Sequence, residues 1–217
     1  MLAEFAPYME AFLTIASIQI MATITPGPDF VLVLRNSLAH SKRSGLFTAL
    51  GSASGMVFHG SYTLLGVGIL VHQSPLIFNG VRVLGALYLM YLGWRSIQNP
   101  SHVEDSFNVQ KDAAVQDLTR FQAWRMGFLS DALNPIVIGL FLTIFSSVMT
   151  GNTPPFIQAM FVAEAALISL TWFCFVALCF SYPLVQNLFK KTGVWLDRTA
   201  GAVLILLGLM ILWSVWT

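Results

Sequence analysis

Charge is scarce in this sequence. Only 10% of its 217 residues are Asp, Glu, Lys or Arg, whereas 56% are hydrophobic and mean hydropathy is +0.73. Ordinary soluble domains carry about 25% charged residues. So few ions cannot coat a water-facing globule, and the composition points to an all-α polytopic membrane protein. No basic patch is large enough to serve as a nucleic-acid footprint, which excludes DNA or RNA as a partner. Cysteine is nearly absent. Cys174 and Cys179 share one apolar segment, and a spacing of five puts them on different helix faces, which disfavours an intrahelical disulfide. His40, His59, His72 and His102 share no metal-ligand spacing, and neither Cys-x-x-Cys nor His-Glu-x-x-His occurs. The sequence offers no metal site, no cofactor site and no enzyme motif. The N-terminal segment also lacks the positive charge of a secretory signal: Glu4 and Glu10 precede the first apolar run, which therefore reads as a permanent helix.

What the sequence has instead is long apolar runs. A membrane-spanning helix needs about 20 such residues, and six stretches qualify: 11–34, 45–70, 75–97, 124–149, 154–181 and 194–216. Ser44 is placed to cap the second, and Ser74-Pro75 and Thr153-Pro154 put proline at a first helical position. The one long connection, 98–123, is polar and mixed in charge. Ten of the eleven Lys and Arg fall in or beside the loops after spans one, three and five, including Arg35, Lys42, Arg95, Arg125, Lys190 and Arg198. Positive loops stay in the cytoplasm, so both termini are expected outside it. Tyr8, Tyr62, Trp213 and Trp216 then mark the outer interface, and Trp94, Trp124, Tyr182 and Trp195 the inner one.

Six spans with an outside N-terminus divide into three and three, running in opposite senses. Arg82-Val83-Leu84-Gly85-Ala86 in span three echoes Arg198-Thr199-Ala200-Gly201-Ala202 in span six, and spans one and four each carry a proline break. These features predict two inverted three-helix repeats, residues 1–97 and 124–217, joined by the cytoplasmic loop 98–123, with a binding site at the repeat interface. Gly51-Ser52-Ala53-Ser54-Gly55 forms a small-residue surface that permits close helix contact, within the chain or across a homodimer.

The breaks carry the chemistry. Thr25-Pro26-Gly27-Pro28-Asp29 and Asp131-Ala132-Leu133-Asn134-Pro135 each put a carboxylate inside an apolar run. Lipid satisfies neither a broken backbone nor an ionised Asp, so protein or a watery cavity must surround both. Pro26, Pro28 and Pro135 lack an N–H and should free the carbonyls of Ala22, Ile24 and Asp131. Gly27 lets a ligand approach the backbone, and Thr25 and Asn134 add donors and acceptors. Asp29 and Asp131 each lie six residues inside a cytoplasmic Arg, roughly 9 Å deep at 1.5 Å per residue, which predicts a shared polar vestibule for substrate or proton. Glu164, about 15 Å past Pro154, sits near the midplane with no charged neighbour in sequence and is a candidate proton site. Arg82 lies about 10 Å from the outer end of its span. It either snorkels or pairs with Glu164, neutralising both. His59 is either a packed core residue or a relay.

These residues carry a family resemblance. Thr25-Pro26-Gly27-Pro28-Asp29, Gly45-Leu46, His59, the run from Arg82 to Trp94, Gly127-Phe128-Leu129 and Leu133-Asn134-Pro135 together resemble the LysE/RhtB-type amino-acid exporters. The resemblance covers nearly the whole chain. It implies six transmembrane helices in a bacterial inner membrane, and export of amino acids or their derivatives driven by protons. Members often have Lys after Asn-Pro, where this chain has Ile136, and a neutral residue where Asp131 stands. The site therefore loses a positive charge and gains a negative one, which favours a substrate with an exposed ammonium or altered proton coupling. Two other classes compete: a transmembrane redox carrier using Cys174 and Cys179, and a channel or assembly protein.

Overall fold

The computed structural model describes residues 6–73, 75–98, 116–148, 153–180 and 182–216. A 3₁₀ turn, Ala6–Tyr8, precedes eight helices among these residues: α1 (Met9–Ile24), α2 (Pro28–Ala39), α3 (Lys42–Gln73), α4 (Pro75–Gln98), α5 (Arg120–Ala132), α6 (Pro135–Val148), α7 (Pro155–Cys179) and α8 (Pro183–Trp216). No strand occurs among them. Residues 99–115, which hold most of the expected polar loop and Lys111, lie outside the described residues.

Both proline breaks are real interruptions. Thr25 ends α1, its N–H and hydroxyl both donating to the Met21 carbonyl at 3.2 and 2.8 Å. The backbone is then extended at Thr25 (φ −62°, ψ 123°) and Gly27 (φ −126°, ψ −173°), and Pro28 opens α2. Any residue adopts the Gly27 conformation, so its glycine answers no backbone demand. In the second half Leu133 ends α5, Asn134 caps α6 by accepting the Ile136 N–H at 3.0 Å, and Pro135 takes the first helical position.

Several helix starts differ from the sequence expectation. Ser41, not Ser44, caps α3, accepting the Ser44 N–H at 3.2 Å. Helix α5 begins four residues early because Thr119 and Gln122 form a reciprocal capping box. Pro154 is the cap of α7 and Pro155 its first residue. Helix α8 begins at Pro183 rather than 194, because the Leu, Gln and Lys residues of 183–193 are good helix formers and nothing between them breaks the helix.

Helix α3 is the centre of the molecule, packed along α5 and α7 and also touching α2 and α6, while α4 packs along α8 and α6. Both main pairings are made by glycine. A Cβ at Gly51 would strike the Trp124 carbonyl, and one at Gly127 the Thr48 carbonyl. The small-residue surface of α3 is thus used within the chain. On the other side, Gly93 and Gly201 each lie against the other's carbonyl.

The interior mixes an apolar cluster around Ile15, Ile18, Leu140, Phe141 and Phe161 with buried Gln19, Asp29, Asn36, Thr48, Ser52, His59 and Asp131. Apolar side chains face outward, with Leu65 72% and Trp213 73% exposed. Polar groups inside and Leu or Trp outside is the arrangement that suits lipid surroundings. Among the described residues, Ala6–Ile24 and Pro155–Cys179 are long and apolar enough to cross a bilayer as single helices.

Candidate functional site

The two helix breaks meet. Asp29, on the second residue of α2, is buried, and its Oδ1 accepts the Ser130 hydroxyl of α5 at 2.6 Å. Its Oδ2 accepts the Asn134 amide at 3.3 Å. Each contact spans more than 100 residues of sequence and joins one break to the other. The Asp29 carboxylate also fronts a cavity of about 130 Å³, lined by Thr23, Thr25, Pro26, Gly27 and Pro28 from the first break and by Asn134, Ile136 and Val137 from the second. Phe30, Met56, Leu140 and Phe173 supply apolar wall. An engineered apolar cavity of about 150 Å³ accepts benzene, so this space suits a small organic molecule. No Lys or Arg lines it among the described residues.

Helix ends add polarity. Pro26 and Pro28 leave the Ala22 and Ile24 carbonyls without their usual helical donors, and the first N–H groups of α2 and α6 have no partner within their own helices. One half-helix C-terminus and two half-helix N-termini border the cavity, although the Val31 N–H already donates to the Gly27 carbonyl and the Ile136 and Ile138 N–H groups to Asn134. The first favours cationic groups and the others anionic ones.

Asp131 is fully buried. The proline at 135 cannot donate to its backbone carbonyl, and His59 of α3 takes that vacancy, donating from Nε2 at 2.9 Å. The Asn134 N–H shares the same carbonyl at 2.9 Å. Because a carbonyl only accepts, neutral His59 carries its proton on Nε2, and Nδ1 accepts the Tyr62 hydroxyl at 2.7 Å. Tyr62, expected at the outer interface, thus turns its hydroxyl inward. The Asp131 carboxyl lies 3.4 Å from His59 Nε2 through Oδ1, yet neither oxygen receives a hydrogen bond among the described residues. Ser52 stands beside both carboxylates and meets hydrogen-bonding geometry with neither. Asp131 fits because position 55 is glycine, where a Cβ would stand 2.5 Å from Oδ1.

The model of the LysE type translocator family matches residues 20–214. The chain belongs to that family. It is 29% identical to YahN, an uncharacterized membrane protein of Escherichia coli, over 91% of this chain and 86% of that protein. It is 26% identical to the threonine efflux protein of Escherichia coli (88% and 92% covered). It is 28% identical to the leucine efflux protein of Salmonella choleraesuis (73% and 72%). No solved structure matches the chain.

Within this LysE type translocator, Glu164 of α7 and Arg82 of α4 are half-buried and line no part of the cavity. Glu164 Oε2 is buried with no hydrogen-bond partner among the described residues. Cys174 and Cys179 are free thiols.

Sequence reasoning missed a polar knot at the cavity wall. The buried Gln19 amide of α1 donates to Thr23 at 3.0 Å and to Ser169 of α7 at 2.9 Å. It also missed Ser130, and it read Ser52 only as part of a small-residue surface and Tyr62 only as an outer-interface marker. Gln19 is an amide inside an apolar run, which is a readable signal. Single hydroxyls are not, because they are common in such runs.

A second missed feature lies at the arginine-bearing ends of α2 and α5. Asp117 accepts hydrogen bonds from Ser44 (2.6 Å), Ser41 (2.9 and 2.7 Å) and its neighbour's Leu118 N–H (3.0 Å). These bonds, Ser44 first, hold its carboxyl below the ordinary value. His40 Nδ1 meets the Gln116 carbonyl at 3.0 Å. The turn between α2 and α3 is thereby clasped to the segment that begins α5.

Proposed function

We propose that this translocator exports small amino acids or their derivatives from the cytoplasm, by alternating access and in exchange for protons, in a bacterial inner membrane. The observation that carries this reading is the meeting of both helix breaks on one carboxylate, Asp29, at the wall of a cavity of amino-acid size. An ammonium group has Asp29 and the carbonyls freed by Pro26 and Pro28. A carboxylate, with no basic side chain at the cavity among the described residues, has the positive dipole ends of α2 and α6. The apolar wall takes the substrate's side chain. The relatives named as threonine and leucine efflux proteins support an amino-acid substrate. In this reading residues 1–97 and 124–217 are oppositely oriented halves that rock about the site, with 98–123 and the clasped turn on the cytoplasmic side.

The test is efflux from cells loaded with threonine- or leucine-containing dipeptides. Wild type should export at least one of the two, and an uncoupler should collapse that export. Asp29→Asn, which keeps size and removes the charge that holds the ammonium, should lower it at least tenfold. Normal export by that variant would make Asp29 structural, and uncoupler-insensitive export would remove proton exchange from the reading.

A further inference from the structure

The cavity uses Asp29 but not Asp131, the more deeply enclosed of the two acids. Asp131 is 0% exposed, lacks any hydrogen-bond donor on its carboxyl oxygens among the described residues, and does not line the cavity. An anion in that position strongly favours taking up a proton or facing a cation. Among the described residues, the cation-forming group paired with it is His59 Nε2, 3.4 Å from Oδ1. Resting on the proton-exchange reading above, we propose that Asp131 and His59 together form the proton-binding site of this translocator, with Tyr62 as its hydroxyl gate.

The neutral imidazole holds one proton on Nε2 and presents Nδ1 to the Tyr62 hydroxyl. A proton from water adds at Nδ1, and Tyr62 turns from donor to acceptor. The imidazolium then faces the Asp131 carboxylate through the Nε2–H already in place. One proton is taken up, the Tyr62 hydrogen bond reverses its sense, no other covalent bond changes, and the pair passes from one net negative charge to none. Release reverses these steps in the other access state. Among the described residues, the other groups facing the pair are few. Asp29 from α2 interacts with it electrostatically. Phe141 of α6 lies tilted against the His59 ring, and Val162 of α7 abuts the neighbouring Gly60, neither being titratable.

This placement supplies the coupling. Asp29 sits at the cavity and Asp131 behind it, with the Ser52 hydroxyl beside both. An ammonium at Asp29 places a positive charge next to the pair and disfavours the proton there, and the proton in turn disfavours the ammonium. Mutual exclusion of two cations at neighbouring sites is the thermodynamic requirement of antiport.

The experiment compares two readouts on the same proteoliposomes, with labelled L-threonine or L-leucine, whichever wild type carries. One is exchange of labelled for unlabelled substrate, which moves no net proton. The other is accumulation driven by an imposed pH gradient. Asp131→Asn and His59→Gln should each cut the ratio of driven accumulation to exchange at least tenfold. Gln at 59 still donates to the Asp131 carbonyl, so His59→Gln separates proton binding from support of the helix break. Tyr62→Phe should cut the ratio less. Equal losses of both readouts in Asp131→Asn and His59→Gln would make the pair structural and overturn the proposal. So would an unchanged ratio in both variants, or an effect confined to Glu164→Gln. Wild type that exchanges substrate but ignores the gradient would remove proton exchange itself, and the proton site with it.

Discussion

At residues 25–27 the chain runs extended and opens onto a cavity, whereas at 133–134 it turns and closes within two residues. Both breaks are made by proline, yet their surroundings differ. The first leaves the Ala22 and Ile24 carbonyls without helical donors and sets Asp29 at the cavity wall. The second gives its freed Asp131 carbonyl to His59 and its Ile136 N–H to Asn134. The difference comes from α3. Its small residues Gly51, Ser52 and Gly55 let α5 approach to backbone contact and bring His59 within reach of the break. A proline break is therefore a supply of unpaired groups, and the neighbouring helix decides whether protein or ligand uses them.

Glycine substitutions break this comparison most strongly. A Cβ at Gly127 would meet the Thr48 carbonyl and, at 3.0 Å, the Ser52 N–H nitrogen, both backbone groups that cannot rotate aside. Gly127→Val should cost about 3 kcal/mol through overpacking and remove most folded protein, read as yield and melting temperature in detergent. At Gly27 a Cβ meets only the Thr25 carbonyl, at 3.9 Å. Gly27→Ala should melt like wild type and instead raise KM for export, because Gly27 lines the cavity. Matching destabilisation by the two would show that the first break is as tightly built as the second.

Asn134 belongs to both breaks, so it sharpens the comparison. Its Oδ1 caps α6 and its Nδ2 reaches Asp29. Asn134→Ala should lose about 1 kcal/mol of capping. Asn134→Asp should keep the cap while placing a second carboxylate beside Asp29. If the cap is the dominant role, Asn134→Asp retains the melting temperature that Asn134→Ala loses. If the amide's hold on Asp29 dominates, both variants fail in export.

Much of this fold is legible locally. The all-helical architecture follows from apolar runs, and the positions of both breaks follow from Pro26, Pro28 and Pro135, whose missing N–H groups act wherever the chain goes. The long α8 is less legible, because residues 183–193 read as a polar loop by hydropathy and as helix by propensity. Least legible are partnerships. Nothing local to Asp29 names Ser130, and nothing local to His59 names the Asp131 carbonyl 72 residues away. The first pairing depends on how α2 meets α5, and the second on the rotation of α3 against α5, which Gly51, Gly55 and Gly127 set by contact. Arg82 and Glu164 illustrate the converse: both stand out in sequence as ions in apolar runs, and both lie off the cavity.

The smallest expected effect concerns what holds the two broken helices in register at their arginine-bearing ends. Asp117 ties the α2–α3 turn to the start of α5 through Ser44 and Ser41. Hydrogen bonds to the ionised carboxyl lower its pKa in the folded protein. The clasp is therefore complete above the unfolded-state value of about 4 and is lost as pH falls through the lower folded value. The site is open to water, so its contribution is about 1 kcal/mol or less, or about 2–4 °C in Tm at this chain length. Asp117→Asn should melt below wild type by that much at pH 7, and the two curves should draw together as pH falls through the lowered folded value. A gap that persists at low pH would show that the clasp acts through side-chain packing and not through the charge. A gap at pH 7 accompanied by faster export would show that the clasp also restrains the motion of one break against the other.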